Sequence, residues 1–527
     1  MFLAISIPMT TVLEERMQPT SGTTTSVWMA TASTPPEKPL NKNTSANVVV
    51  IGAGIAGLTI AYLLSQEGKD VIVLDDGPIG GGMTARTTAH LTNALDDRFY
   101  ELERLFGEEG ARLAAQSHSA AIDQVEEIVA QERIDCEFAR VDGYLFLPTN
   151  GKKQVLEDEL PAAHRAGLTG IRLLERAPLE FWDTGPCLHF PRQGQFHPLK
   201  YLTGLAHAIE RAGGHIYSGT HAEEIEGGDE ARVTTTSGYE ITCDAIVVAT
   251  NCPVNDRIAI HTKQAPYTTY VIGARIPKGS VPDILLWDAP TDLWEAYHYI
   301  RVAHDDGYDV LVVGGEDHKT GQQHDGAQRW GKLEQWTRNR FPMAGEIEFR
   351  WSGQVMEPFD CLAFIGRNPL DADNVFIATG DSGMGMTHGT IAGMLITDLI
   401  MGRKNPWAEI YEPSRKTLSA AKDFAAENAN VMAQYADLVT PGDIDSVEEI
   451  PKGEGAVLRS GLTKQAVYRD EDGILHRMSA ICVHLGCVVT WNSSEKTWDC
   501  PCHGSRYDRF GTVCNGPANS DLPPVNE

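Results

Sequence analysis

Near the front of the chain a β-branched run, Val48-Val49-Val50-Ile51, leads directly into Gly52-Ala53-Gly54-Ile55-Ala56-Gly57 and then into an apolar helical pattern, Leu58 to Gln66. Strand, glycine turn and helix in that order constrain the fold more than any other feature. A continuous apolar run fits a central parallel strand buried on both faces. The first glycine makes the tight turn, the second lets a pyrophosphate touch backbone, and the third lets helix pack on strand, which leaves the helix N-terminus facing phosphate. Gly68 ends the helix and Asp70–Leu74 reads as a second strand. Asp75 stands at its end, about 20 residues on, where a carboxylate accepts from a ribose hydroxyl. Asp76 is the competing position. The unit predicts a dinucleotide site in an α/β domain.

The chain is long enough, at 527 residues, for three to four domains. With 42% hydrophobic and 22% charged residues it is ordinary globular material. A net charge of −28 excludes a broad nucleic-acid surface, which needs clustered cations. Phe2 to Met9 is apolar but short and has no preceding cation, so no signal peptide is expected. Residues 17–46 are rich in Thr, Ser and Pro, and 1–46 read as a disordered leader. Asn47–Gln66 is uncharged, but its glycines suit a buried strand, turn and helix better than a bilayer span. No membrane span and a cytoplasmic location are therefore expected.

Two later segments favour FAD over NAD. Asp244–Val248 leads to Ala249-Thr250-Asn251-Cys252-Pro253, a strand and small polar turn. Asn374–Thr379 leads to Gly380-Asp381-Ser382-Gly383-Met384-Gly385-Met386-Thr387-His388-Gly389, and a helix is predicted over 390–401. These segments resemble the D-amino-acid oxidase and glycine oxidase superfamily of FAD-dependent oxidoreductases. The resemblance covers about residues 47–410. It implies a Rossmann-like fold with an inserted antiparallel β-sheet substrate domain, the insertions falling at about 90–200 and 255–355. It also implies a flavin running along the glycine-rich turn, with Gly52, Gly54, Gly57, Asp75, Thr250, Gly380, Asp381, Gly383, Gly385 and Thr387 as cofactor contacts.

Between these portions, Ala296–Val302, Asp305-Asp306-Gly307 and Asp309–Val313 read as a β-hairpin. Tyr297, Tyr299 and Arg301 alternate onto one face, so Tyr299 and Arg301 are weak catalytic candidates for holding a carboxylate-bearing substrate. The plainer alternative makes Arg301 a surface ion-pair partner and the tyrosines packing. Cys361 reads as a buried structural thiol before a flavin anchor, and His197, before Pro198, as packing or a helix cap. Asp317, His318, His324 and Asp325 read as a solvated loop before a metal cluster.

The back of the chain has a different chemistry. Of 10 cysteines, five crowd the C-terminal end. Two boxes, Cys482-Val-His484-Leu-Gly486-Cys487 and Cys500-Pro-Cys502-His503-Gly504-Ser505, stand with twelve residues between them among short strands and turns. Two thiolates and two imidazoles at this spacing can hold zinc or a [2Fe-2S] cluster with Cys₂ on one iron and His₂ on the other. The extra cysteine and glycine in each box favour the cluster. The boxes resemble the high-potential Rieske domain across essentially all of 441–527, a small all-β module. That resemblance implies Cys482, His484, Cys500 and His503 as ligands, a Cys487–Cys502 disulfide, a proline loop at Gly516-Pro517-Ala518, and hydroxyls of Ser505 and Tyr507 on the sulfurs. Residues 411–440 form a helical linker, with a helix predicted over 414–438.

Together these readings predict a flavin-dependent oxidoreductase that oxidises an amine or amino acid and passes electrons through the cluster to an acceptor protein or quinone. The alternatives are electron flow from an external donor through the cluster to flavin, or a redox sensor that turns over no metabolite.

Overall fold

The computed structural model describes residues 21–255, 258–289, 297–461 and 463–525. The Phe2–Met9 segment and Ala296 lie outside the described residues.

The Val48–Ile51 strand is fully buried and is the centre of a six-stranded sheet. Parallel to it lie Val71–Leu74 on one side and Ala245–Val248 on the other, then His215–Tyr217 and Val375–Thr379, with antiparallel Phe364–Arg367 at the edge. The glycine-turn helix spans Ile55–Gln66. The second glycine-turn helix begins at Gly385 and ends at Ile400, five residues ahead of the expected 390. The reason is packing: a Cβ on Gly389 would meet Ile55 Cγ2 at 2.7 Å, and one on Gly393 would meet Thr59 Cγ2 at 2.4 Å. These glycines let the two helices cross closely, and they cost less in the helix than a clash would.

Among the described residues the inserted sheet has nine strands: Gln264–Ile276, Ile284–Asp288, His298–His304, Asp309–Lys319 and Ile347–Pro358 on one side, and Ala139–Phe146, Cys187–Gln195, His90–Leu91 and Arg172–Leu174 on the other. Its pairings are antiparallel except that Ile284–Asp288 runs parallel to Ala139–Phe146. The hairpin of His298–His304 and Asp309–Lys319 is formed in register, His304 opposite Asp309.

Residues 21–46 are not a disordered leader. Ser26 caps a short helix, Val27–Thr31, and its hydroxyl donates to Ala85 O at 2.6 Å; Trp28 Nε1 donates to Thr87 O at 2.6 Å. Val27, Trp28 and Met29 are buried, each contributing about 1.5–3 kcal/mol. Three large apolar side chains anchor a segment whose average composition is polar.

The linker is helical over Ala421–Gln434, shorter than 414–438, and is preceded by the 3₁₀ turn Leu418–Ala420. A second 3₁₀ turn, Tyr435–Leu438, continues it, and Val431 and Tyr435 pack, partly buried, against the core of the C-terminal module. Beyond it stand a three-stranded sheet, Glu454–Ser460, Thr463–Arg469 and Leu475–Ser479, and a four-stranded one, Thr490–Asn492 through Val513–Asn515. The second carries the cysteine and histidine boxes. Among the described residues no helix is long and apolar enough to cross a membrane.

Candidate functional site

A single cavity joins the two halves of the molecule. Its floor is the first glycine turn, Gly52 and Gly54; its far wall is Asp381, Gly383 and Gly385; and Cys514, Gly516 and Asn519 of the C-terminal module close another side. Gly52 has φ +106°, and a Cβ there would lie 2.4 Å from Ala249 O. A Cβ on Gly57 would lie 1.8 Å from Gly52 O, so only glycine lets the helix begin this close to the turn. Thr84 Oγ1 accepts from Ile55 N at 3.1 Å and fixes the turn from the opposite side.

Asp75 and Asp76 both border the cavity. Asp75 also staples the turn, accepting from Ala53 N at 2.6 Å and Gly77 N at 2.9 Å. Burial, then the neighbouring Asp76, pushes its carboxyl up to about 7. Thr250 borders the cavity, its hydroxyl donating to Cys252 O at 2.7 Å. Asp381 Oδ1 accepts from Met356 N at 2.9 Å, and burial raises this carboxyl to about 6.

Three expected cofactor contacts, Gly57, Gly380 and Thr387, do not border the cavity, and neither does the catalytic candidate Arg301. Gly380 is turned away from the cavity, where its Cβ position faces Pro358 Cγ at 2.7 Å. Thr387 points into the protein, its Oγ1 2.8 Å from His118 Nδ1, because it lies on the helix face that packs on the long helix Phe99–Glu132. Arg301 is neither a substrate anchor nor a surface ion-pair partner. It is buried, donates from Nη1 to Ala89 O at 2.8 Å and Phe196 O at 3.0 Å, and lies over Trp28 at 5.1 Å. The guanidinium is consumed by satisfying main-chain carbonyls that would otherwise be orphaned.

Tyr299 does face the cavity, its hydroxyl hydrogen-bonded to Thr269 Oγ1, and beside it Tyr297 donates to Asp96 Oδ2 at 2.8 Å. Asp96 lies over the second glycine turn: a Cβ on Gly383 would be 2.3 Å from its Oδ2. Asp317 shares the wall, and burial, against the hydrogen bond from Thr269, pushes it up to about 7. Asp317 and His318 are therefore part of a strand, and His324 Nδ1 sits 3.2 Å from Trp491 O of the C-terminal module. The solvated-loop reading fails because this stretch is interface. His90 is also on the wall, held neutral by burial, then by Arg301, with its pKa down to about 3.

The cavity has donors and acceptors to spare. Gln354 Oε1 and His388 Nε2 are buried on its wall with no hydrogen-bond partner among the described residues. Orphans of this kind are costly unless a ligand meets them. Cradle, helix terminus and orphans fit a bound flavin dinucleotide.

Cys482 and Cys500 lie together in the C-terminal module, both buried, and Cys482 Sγ is 3.2 Å from Tyr507 Oη. Hydrogen bonding from Cys500 lowers the Cys482 thiol to about 6, while Cys500 is pushed well up. The rings of His484 and His503 face each other at 5.1 Å, edge to face. Cys487 and Cys502 form a disulfide. Their sulfurs also crowd Cys500 within 4.8 Å, but the bond between them removes both from any ligand set. Two thiols and two imidazoles remain, which fits a [2Fe-2S] cluster with mixed ligation. Ser505 Oγ accepts from Ala518 N at 3.0 Å, tying the proline loop to the second box.

Sequence reasoning missed Asp96 and Gln354, which belong to no short motif, read Asp317 as part of a solvated loop, and passed over His388. The signal for His388 was present in the glycine turn itself.

Residues 47–399 match the family of FAD dependent oxidoreductases, and residues 441–526 match the Rieske [2Fe-2S] domain. The chain belongs to the FAD dependent oxidoreductase family and carries a C-terminal Rieske domain. It is similar to YhfW of Bacillus subtilis (strain 168), described as a Rieske 2Fe-2S iron-sulfur protein, at 32% identity over 95% of this chain and 97% of that one. It is 27% identical to gamma-glutamylputrescine oxidoreductase of Escherichia coli (strain K12) over 69% of this chain and 85% of that one. Glycine oxidase from Geobacillus kaustophilus shares the fold, with a TM-score of 0.58 at 18% identity over 71% of this chain and 99% of that one. The protein is thus an FAD- and [2Fe-2S]-dependent oxidoreductase.

Proposed function

We propose that this enzyme oxidises the C–N bond of a cationic amine and delivers the electrons through its Rieske unit to an outside acceptor, a protein or a quinone. When bound, flavin supplies a two-electron hydride acceptor and the cluster a one-electron carrier. The observation that carries the reading is the shared wall: residues of the Rieske unit, Cys514 to Asn519, border the same cavity as the flavin glycine turns. A cluster placed there has the flavin site as its inner neighbour.

The amine follows from the wall chemistry. Asp96 and Asp317 supply carboxylates and Tyr297 and Tyr299 supply ring faces, a set that attracts an ammonium. Arg86, the guanidinium on the described lining, is bound to Glu495 at 3.1 Å, and Arg301 is bound to carbonyls. Among the described lining residues no guanidinium is left without an ion-pair partner to meet a substrate carboxylate, so an amine is favoured over an amino acid held by its carboxylate. Oxidation of the amine to an imine removes two electrons and two protons, and Asp96 or Asp317 is placed to hold the ammonium and take its proton. Gly52, Gly54, Asp75, Thr250, Asp381, Gly383 and Gly385 would hold the flavin. Cys482, His484, Cys500 and His503 would ligate the cluster. A cytoplasmic location is supported by the eight cysteines outside the disulfide, which suit a reducing compartment.

The test is anaerobic mixing of the holoenzyme with amines, polyamines and D- and L-amino acids, following flavin bleaching and the reduced-cluster paramagnetic signal together. Bleaching by an amine, with the cluster signal following it, supports the reading. Cluster reduction by an external donor before any flavin change would overturn the direction of flow.

A further inference from the structure

The imidazole edge of the Rieske boxes packs against the flavin half of the molecule, with His503 buried and His484 half-buried. His261 stands in the turn before the Gln264–Ile276 strand, and it is buried. Its ring meets that of His484 at 4.9 Å and that of His503 at 6.1 Å, edge to face in both cases. The three imidazoles thus form one packed group, with two from the Rieske unit and one from the flavin domain.

The turn that carries His261 is held from several directions. Thr262 O accepts from Asn428 Nδ2 of the linker helix at 2.9 Å, and Lys263 Nζ donates to Pro413 O at 2.7 Å. Cys252 Sγ lies 3.7 Å from His261 Nδ1, and Cys252 directly follows Asn251 on the cavity wall. Asn251, Cys252 and His261 therefore form a line of contacts from the flavin cavity to the imidazole pair. A second link is parallel to it: Gln354, on the cavity wall, donates from Nε2 to Gly504 O at 2.9 Å, next to His503. The approach there is close, since a Cβ on Gly504 would meet Pro266 Cβ at 2.6 Å. Such contacts bury His503 and leave His484 half-buried, with Val483 and Leu485 exposed beside it.

We propose that His261 is a positioning residue that docks the imidazole edge of the Rieske boxes onto the flavin domain, so that this edge serves the flavin site of the same chain. The inference rests on the ligand set proposed above. It adds that electrons from the flavin enter the Rieske unit through its histidine face.

The test uses the holoenzyme and diethyl pyrocarbonate, with modified histidines mapped by mass spectrometry and exposed His215 as the internal standard. In the wild type, buried His503 is expected to react at least about tenfold more slowly than His215, since the reagent must wait for a local opening, and half-buried His484 is expected to react more slowly than His215 as well. His261→Ala should bring both rates toward that of His215 and slow the appearance of the cluster signal after flavin bleaching. His261→Phe, which refills the space, should restore protection. Wild-type His484 and His503 reacting as fast as His215 would overturn the proposal, and this arm needs no variant to fold. So would unchanged protection in His261→Ala with an intact cluster spectrum. Failure of the ligand set is a separate result: a wild-type protein that gives no mixed-ligand [2Fe-2S] paramagnetic signal.

Discussion

Arg86 Nη1 lies 3.1 Å from Glu495 Oε1 across the junction of the flavin and Rieske units, and both side chains are fully buried. The carboxylate is over-determined. It also accepts from the Ser352 hydroxyl at 2.6 Å, from Ser352 N at 3.0 Å and, on its other oxygen side, from the backbone of Thr24 at 3.1 Å. Removing one member of a buried pair leaves an uncompensated charge and costs about 3–5 kcal/mol. Glu495→Ala should therefore lower the melting temperature of the whole chain and loosen the Rieske unit, read as increased hydrogen exchange in residues 513–519. The paired replacement Arg86→Met with Glu495→Leu should recover most of the loss. A Glu495→Ala protein as stable as wild type would show that the junction is held by other contacts.

Gly57→Ala tests the cradle. Its Cβ position is 1.8 Å from Gly52 O, a main-chain atom that cannot step aside without moving the turn. Purified Gly57→Ala should carry little flavin by absorbance, whereas Gly331→Ala, away from the cavity and with a Cβ that meets nothing within 4 Å, should retain a full complement.

His484→Cys and His503→Cys address the cluster. Exchange of imidazole for thiolate moves the potential from the Rieske range, roughly −150 to +300 mV, toward the roughly −400 mV of all-cysteine clusters. A potential and paramagnetic spectrum identical to wild type would remove these imidazoles from the ligand set.

Much of this was legible in the sequence because the relevant forces are local. Val48–Gly57 encodes strand, turn and helix within ten positions, and the two boxes place four ligands within twenty-two residues. Arg301 was misread because alternation along a strand gives the face but not what lies opposite it, here the carbonyls of Ala89 and Phe196. Trp28 was hidden for a similar reason: a short apolar cluster in a polar segment is silent until a docking surface exists. His261 could not be found at all, since its meaning is a contact with residues more than two hundred positions away.

Glu159 gives a prediction about pH. It is buried, its Oε2 accepts from Phe99 N at 2.7 Å at the start of the long helix, and burial, against the nearby Arg98, raises its carboxyl from 4.5 to about 7. The folded state thus holds a proton that the unfolded state releases between those values. The stability tied to this proton is fully present below pH 4.5 and is lost as pH rises through about 7. Glu159→Gln keeps the amide acceptor and removes the titration. Relative to this variant, wild type should lose about 3 kcal/mol of stability between the two limits, at about 1.4 kcal/mol per pH unit. Chemical denaturation of both proteins from pH 4.5 to 8 measures it, and parallel stability curves would place the proton elsewhere.

Asp96 and Asp317 bear on the substrate. Each stands on the cavity wall, and burial raises both carboxyls, Asp317 to about 7. An ammonium bound between them would favour their ionised forms and pull those values down. Asp317→Asn and Asp96→Asn should therefore raise KM for a cationic amine at least about tenfold, the equivalent of about 1.4 kcal/mol of lost binding, with the flavin content unchanged. Binding of the amine to wild type should release protons near pH 7, where a raised carboxyl gives up its proton to pair with the cation. Calorimetry in two buffers of different ionisation enthalpy measures that release. Proton uptake on binding, or a KM indifferent to both substitutions, would mean that the ammonium is held by something other than these carboxylates.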